Sequence, residues 1–234
     1  MHLDQVLARL PRRRKLATHE LVADVLREAI TSGHLRANEA LPQDEIAAQL
    51  QVSHIPVREA LRQLQSEGLV TYQPNRGATV SALTPAEIRE IYEIRAILET
   101  AAVRRAAPAL TPAQLDQASR ILDAAESAVD GAVWGAHDVD FHQCIYGLEA
   151  RPRMQELIDG LLRRVDRYWL IHGLMLTHRA RFEPEHRAIL AALRARDGER
   201  AGQLLAAHLA GAAELLVQAV EREYAERMAN VPGD

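Results

Sequence analysis

Cysteine is nearly absent from this sequence of 234 residues: Cys144 is the single thiol, so no internal disulfide can form. That excludes the disulfide-stapled extracellular scaffolds and fits a reducing compartment. Aromatic residues make up only 4%, so any core must be filled by Leu, Ala, Val and Ile, which favours helix. Lysine occurs once against 27 arginines, a bias that reflects base composition of the genome more than function. Long uncharged apolar runs are missing too. No segment has the length and purity of a membrane span, and the start lacks the apolar core of a signal peptide. The expectation is a cytoplasmic protein with no membrane partner.

What is present divides into two parts. Apolar residues reach 48%, enough for folded cores, and the length suits two domains, 1–81 and 82–234. The net charge of −4 is uneven: residues 1–81 carry 10 Arg/Lys and 9 Asp/Glu, residues 82–234 carry 18 and 23. The acidic surplus therefore belongs to the second part.

The most informative stretch is Val52-Ser-His-Ile-Pro-Val-Arg-Glu-Ala-Leu-Arg-Gln-Leu-Gln-Ser-Glu-Gly-Leu-Val70. Its apolar stripe at Val57, Ala60, Leu61 and Leu64 predicts a helix closed by a left-handed cap at Gly68. Arg58 and Arg62 lie four apart on one face, with Ser53, His54 and Ile55 at the N-terminal end. A helix that enters a major groove presents residues in this way. Residues 45–50 read as a shorter helix, and Gln51-Val52-Ser53 is the turn between the two, which is helix-turn-helix spacing. Residues 18–32 supply a supporting helix with Leu21, Val22, Val25, Leu26 and Ile30 at three- and four-residue steps. Residues 69–72 and 78–81 read as two strands around the turn Gln73-Pro-Asn-Arg-Gly77. Such a hairpin is a wing that would carry Arg76 and Gly77 to a minor groove or a phosphate. Arg-rich amphipathic helices are commonly just solvated, but helix, turn, helix and basic hairpin in this order point to double-stranded DNA. The run Arg12-Arg-Arg-Lys15 reads either as a solvated arm or as one that touches DNA.

Beyond Ser81 strand signals stop. Thr84-Pro85 and Thr111-Pro112 each pair an N-cap with proline at the first helical position. They open helices to about 107 and 129. Further helices are expected over 133–148, 152–171, 181–196 and 199–228, six in all, with short Pro- or Gly-marked connections. The fold class is mainly α: an N-terminal winged helix-turn-helix followed by an all-helical antiparallel bundle.

Polar residues inside that bundle carry the second signal. Asp138 and His142 are four apart and share a helical face. His186 and His208 sit on two other helices, His208 within the apolar stretch Leu204-Leu-Ala-Ala-His-Leu-Ala210. One carboxylate and three imidazoles suit a divalent transition metal such as zinc, nickel, cobalt or manganese. Each histidine alone reads more readily as a satisfied core residue than as a ligand, and spacing does not show that the three helices converge.

The segment Ser53-His-Ile-Pro-Val-Arg-Glu-Ala-Leu-Arg62, with Glu67-Gly-Leu and Arg76-Gly, resembles the GntR family of bacterial transcriptional regulators. The second half is similar to its FadR/FCD branch at Tyr92-Glu-Ile-Arg-Ala-Ile-Leu-Glu99, Asp138-Val-Asp-Phe-His142, Glu185-His-Arg-Ala-Ile-Leu190 and His208. The resemblance implies an FCD-like effector domain in which Asp138, His142, His186 and His208 hold an ion, zinc first among the options. It also implies that Arg95 faces the effector and binds an anionic carboxylate. An ordinary helix-surface salt bridge is the alternative reading of Arg95. His54 and Ile55 depart from the family's arginine and threonine, so the operator is expected to differ. Arg36-Ala-Asn-Glu39 stands where Pro-Gly-Glu is common, and Arg151 where asparagine is, which bears on effector identity.

Together these features predict a homodimeric repressor of a catabolic operon that senses a small organic acid and binds a pseudo-palindromic operator. Two other classes share the features: a regulator for which the metal is itself the signal, and a metal-dependent enzyme. The second lacks a glutamate placed as general base beside the metal motif.

Overall fold

The computed structural model describes residues 3, 17–73, 77–147, 151–171 and 173–229. They fall into two compact units, one running to Leu83 and taking in Arg163–Arg167, the other holding the remainder. Arg76 and the basic run 12–15 lie outside the described residues.

In the first unit α1 (Thr18–Thr31), α2 (Gln43–Leu50) and α3 (His54–Ser66) lead into a hairpin of β1 (Val70–Gln73) and β2 (Gly77–Val80). The α3 stripe Val57, Ala60, Leu61 and Leu64 is buried, as its period requires. It packs on α1, which buries Val22, Val25, Leu26, Ala29 and Ile30. Leu21, expected to point inward, is 38% exposed because it falls off that stripe. Leu3 is buried in the same core, with its N–H on Gln49 Oε1 at 3.2 Å.

Left-handed residues end both α3 and α2. At Gly68 (φ +75°) the chain leaves α3, and the Leu69 N–H returns to the Leu64 carbonyl at 3.0 Å. Gln51 (φ +55°) does the same between α2 and α3, with the Val52 N–H on the Ala47 carbonyl at 3.0 Å. A side chain there costs about 1–2 kcal/mol relative to right-handed backbone.

The hairpin is antiparallel, in register from Val70↔Val80 to Gln73↔Gly77. The sequence gives no sign of what flanks it. Residues 38–41 run along the far side of β2, with Leu41 N–H on Ala78 O and Val80 N–H on Glu39 O, both at 2.8 Å. Asn38 (φ +67°) turns the chain into this segment, a conformation asparagine tolerates. Glu39 accepts from the Arg36 N–H at 2.9 Å, so Arg36-Ala-Asn-Glu39 forms its own closed turn. A second unforeseen link joins α1 to the end of α3: Arg27 donates through Nε and Nη2 to the two Glu67 oxygens at 2.8 and 2.7 Å.

In the second unit the helices are α4 (Pro85–Ala106), α5 (Pro112–Glu126), α6 (Gly131–Tyr146), α7 (Pro152–Ile171), α8 (Leu174–Thr177), α9 (Arg179–Arg194) and α10 (Gly198–Ala229). Thr84 and Thr111 cap α4 and α5 in reciprocal boxes with Glu87 and Gln114. Asp130 caps α6 from the Ala132 and Val133 N–H groups. α10 packs along α4 and against α9, while α6 packs on both α4 and α5. The single turn α8 is an addition to the six expected helices. α5 stops at Glu126, short of 129; Ala128 is still buried, but Val129 is 93% exposed.

One described stretch, Gly198–Ala225 within α10, does have the length and composition of a membrane span, contrary to the sequence expectation; an 18-residue window in it has a mean hydropathy of 1.3 and is 44% buried. Its apolar surface packs on α4 and α9, as a core helix's would.

Candidate functional sites

On α3 the groups singled out from the sequence share one solvent-facing side. Ser53, His54, Ile55, Arg58 and Arg62 are all exposed. Ser53 is the N-cap by backbone, yet its hydroxyl makes no capping hydrogen bond, which leaves both it and the helix N-terminal amides available to an anion. Among the described residues Arg58 and Arg62 form no ion pair, whereas Arg104, Arg179, Arg181, Arg187 and Arg194 are all paired with carboxylates. His54 lies 3.3 Å from Asp44 at the start of α2. Gly77 begins β2 with φ +70° and is exposed.

In the second unit four side chains from three helices come together. His142 (α6), His186 (α9) and His208 (α10) are buried and offer ligand atoms that all lie within 4.8 Å of one another. Nε2 of His186 is 3.3 Å from Nε2 of His208 and 3.3 Å from Asp138 Oδ1. Nε2 of His142 is 3.9 Å from the same Asp138 oxygen. For comparison, four N/O donors at about 2.0–2.1 Å in a tetrahedron are about 3.3 Å apart. Lone pairs at such spacing repel unless a cation or protons lie between them. The donor set therefore fits a divalent ion of the zinc type.

Electrostatics agree with neutral rings at His142 and His186. Burial first, then the neighbouring imidazoles, push His142 and His186 well below the usual histidine range. Asp138 keeps 23% exposure; burial pushes its carboxyl up to about 6 against the pull of His208 and Arg95.

A further layer was not foreseen. Glu185 accepts from His208 Nδ1 at 2.7 Å and is also held by Arg181, so it orients a ring and is not a free base. Tyr146 lies on the other side: its hydroxyl is 3.0 Å from His142 Nδ1 and donates to Glu99 in a short contact. Burial, then Glu99, push the Tyr146 phenol well above its ordinary value. The spacing held a clue, because Asp138, His142 and Tyr146 step by four along α6. Trp134, Phe141 and Phe182 wall the cluster, with ring centroids 5.0–6.5 Å from His186.

Arg95 is buried, so the exposed surface salt bridge weighed from the sequence does not apply. Its Nε donates to Glu99 Oε1 at 2.7 Å, and its guanidinium carbon lies 4.6 Å over the Tyr92 ring. Burial opposes its charge, but Glu99 and the two tyrosines outweigh that and raise its pKa. Arg151 is exposed at the start of α7.

A winged helix-turn-helix joined to a helical bundle with a buried histidine cluster defines a class of bacterial DNA-binding regulator. The family described as "Bacterial regulatory proteins, gntR family" matches residues 18–80, and the FCD domain matches residues 90–211. The chain belongs to the GntR family, in its FCD-bearing branch. It is 36% identical over 132 residues to an uncharacterized HTH-type transcriptional regulator in the TAR-I ttuE-ttuC' intergenic region of Agrobacterium vitis, covering 54% of this chain and 77% of that one. It is 28% identical over 188 residues to the HTH-type transcriptional repressor RspR of Escherichia coli strain K12, covering 79% and 82%. A GntR regulator from Rhodococcus sp. RHA1 superposes with a TM-score of 0.74 at 29% identity, covering 87% of this chain and 99% of that one. These relatives are transcription regulators, not enzymes.

Proposed function

We propose that this protein is a ligand-responsive transcriptional repressor that acts as a homodimer on a pseudo-palindromic operator. The observation that carries the sensing half of this reading is the convergence of Asp138, His142, His186 and His208 from three helices. These residues hold one divalent ion, and zinc suits their chemistry best. When bound, the ion supplies a Lewis-acidic point for a carboxylate oxygen of a small organic acid. Arg95 stands on the same unit with only its Nε committed to Glu99 among the described residues, so its terminal nitrogens can pair with an acid group of that effector.

At the DNA end, Ser53, His54, Ile55, Arg58 and Arg62 meet the major groove, with Arg76 and Gly77 of the wing on the adjoining backbone or minor groove. Release requires that the effector bind the DNA-incompetent arrangement more tightly than the competent one.

The test uses an operator selected by the protein from a random duplex library and followed by fluorescence anisotropy. Small carboxylates should release metal-loaded protein from that DNA. After chelation the protein should still bind DNA but should not respond to the acid. Release that is undiminished by chelation would overturn the sensing site.

A further inference from the structure

The hydrogen-bond chain behind His142 has a direction, and the direction matters for the metal centre. Tyr146 has one hydroxyl proton. Its oxygen makes a short contact with Glu99 Oε2, and Glu99 is paired through Oε1 with the Arg95 guanidinium at 2.7 Å. A carboxylate facing a guanidinium accepts and does not donate, so the Tyr146 proton lies toward Glu99. The second contact of that hydroxyl, 3.0 Å to His142 Nδ1, must then be one in which the ring donates. His142 therefore carries its proton on Nδ1, and its Nε2 lone pair faces Asp138 and His186.

We propose that Tyr146, held by Glu99 from α4, is a positioning residue that fixes His142 in the Nδ1–H tautomer and so presets Nε2 as a metal donor. This rests on the metal reading above and deepens it. The rest of the outer shell follows the same logic: Glu185 sits 2.7 Å from His208 Nδ1 and leaves that ring's Nε2 bare. The two arrangements differ in kind, since one is a direct carboxylate and the other passes through a phenol. Imidazole ligands are commonly oriented by such partners, whose loss costs about 10–100-fold in metal affinity. The tyrosine also gives the buried Glu99 and Arg95 a place in the outer shell of the histidine cluster. Glu99 and Arg95 brace the hydroxyl that braces the ring.

The experiment uses the full chain labelled with 15N-histidine and stripped of metal. Long-range 1H–15N correlation reads the tautomer of each ring, and competition with a chromogenic chelator reads the affinity for Zn2+ alone. In the wild type His142 should show a protonated Nδ1. In Tyr146→Phe the ring should shift toward protonated Nε2, and zinc affinity should fall about 10–100-fold while the fold survives. Glu185→Gln should move His208 and leave His142 unchanged, which separates a specific hydrogen bond from general loosening of the core. Glu99→Gln keeps the shape and should give the His142 change in weaker form.

A Tyr146→Phe protein with His142 still protonated at Nδ1 and zinc affinity within twofold of wild type would overturn the proposal. A wild type that holds no zinc would instead overturn the metal reading. The tautomer comparison between wild type and Tyr146→Phe would still decide the role of Tyr146.

Discussion

Nε2 of His186 lies 3.3 Å from Nε2 of His208, although the two residues sit on different helices and their rings are tilted by 55°. Two imidazole nitrogens at this distance share a proton or face a common cation. With Asp138 Oδ1 also 3.3 Å from His186 Nε2, a cation satisfies all three at once.

The first prediction concerns that cation. Protein purified without chelator should carry about one divalent ion per chain by elemental analysis. His186→Ala and His208→Ala should lose it. An ion at about 100 times its dissociation constant adds about 2.7 kcal/mol. Chelation should therefore lower the melting temperature of the wild type and leave the alanine variants unmoved. Equal melting temperatures with and without chelator would count against the site.

Arg58 and Arg62 are exposed and unpaired among the described residues, so both are available to DNA. Arg58→Ala and Arg62→Ala should each weaken operator binding, by about 1–3 kcal/mol if the arginine reads a base. A phosphate contact would instead reduce the salt slope by about one and weaken all sequences alike. Circular dichroism should be unchanged. Wild-type affinity and salt slope in both variants would remove α3 from the interface.

The Arg27–Glu67 pair should give the first unit a pH signature. Burial raises the Glu67 carboxyl, but the Arg27 hydrogen bonds and charge outweigh it and hold it below the usual range. A depressed carboxyl stabilises the fold above its unfolded pKa, and that stability is lost as pH falls through the folded value. Glu67→Gln should therefore be less stable than wild type at pH 6–7, by about 1–3 kcal/mol for a hydrogen bond to a charged group. The gap should narrow as pH falls below the ordinary carboxylate range and close only once pH lies below the depressed Glu67 value, as chemical denaturation at each pH would show.

Capping gives a fourth test. Thr84 accepts from the Glu87 N–H at 3.2 Å, and Glu87 returns a bond to the Thr84 N–H at 2.8 Å. Thr84→Ala should cost about 1 kcal/mol. Thr84→Ser, which keeps the oxygen, should recover most of it. The same pair of variants at Thr111 should behave alike, measured by urea midpoint.

Much of this architecture was legible because it rests on local rules. Thr-Pro at 84–85 and 111–112 marks helix starts by its own chemistry, Gly68 marks an end, and Val57 through Leu64 declares a buried stripe. The convergence of His142, His186 and His208 was not legible, since it depends on how three separate helices pack. Residues 38–41 escaped notice because their order comes from pairing with β2 and not from alternation in their own sequence. The Arg27–Glu67 clamp spans two helices with no periodic trace. Glu185 is the hardest case: it neighbours His186 in sequence but serves His208 across the bundle. Tyr146 and Glu99 could have been suspected, each lying four residues beyond a residue already singled out.

The four converging donors are contributed by α6, α9 and α10, and the last of these arrives late in the chain. During synthesis, therefore, residues 17–83 of the first unit emerge before the donor set is complete, and Arg163–Arg167 of that unit follow later. On the proposed reading, a complete set of donors must wait until His208 has cleared the ribosome and its helix has docked. If the site holds a metal as proposed, a cell short of the ion would accumulate protein that still binds its operator but is deaf to the acid, so scarcity of metal would silence the response without touching the grip.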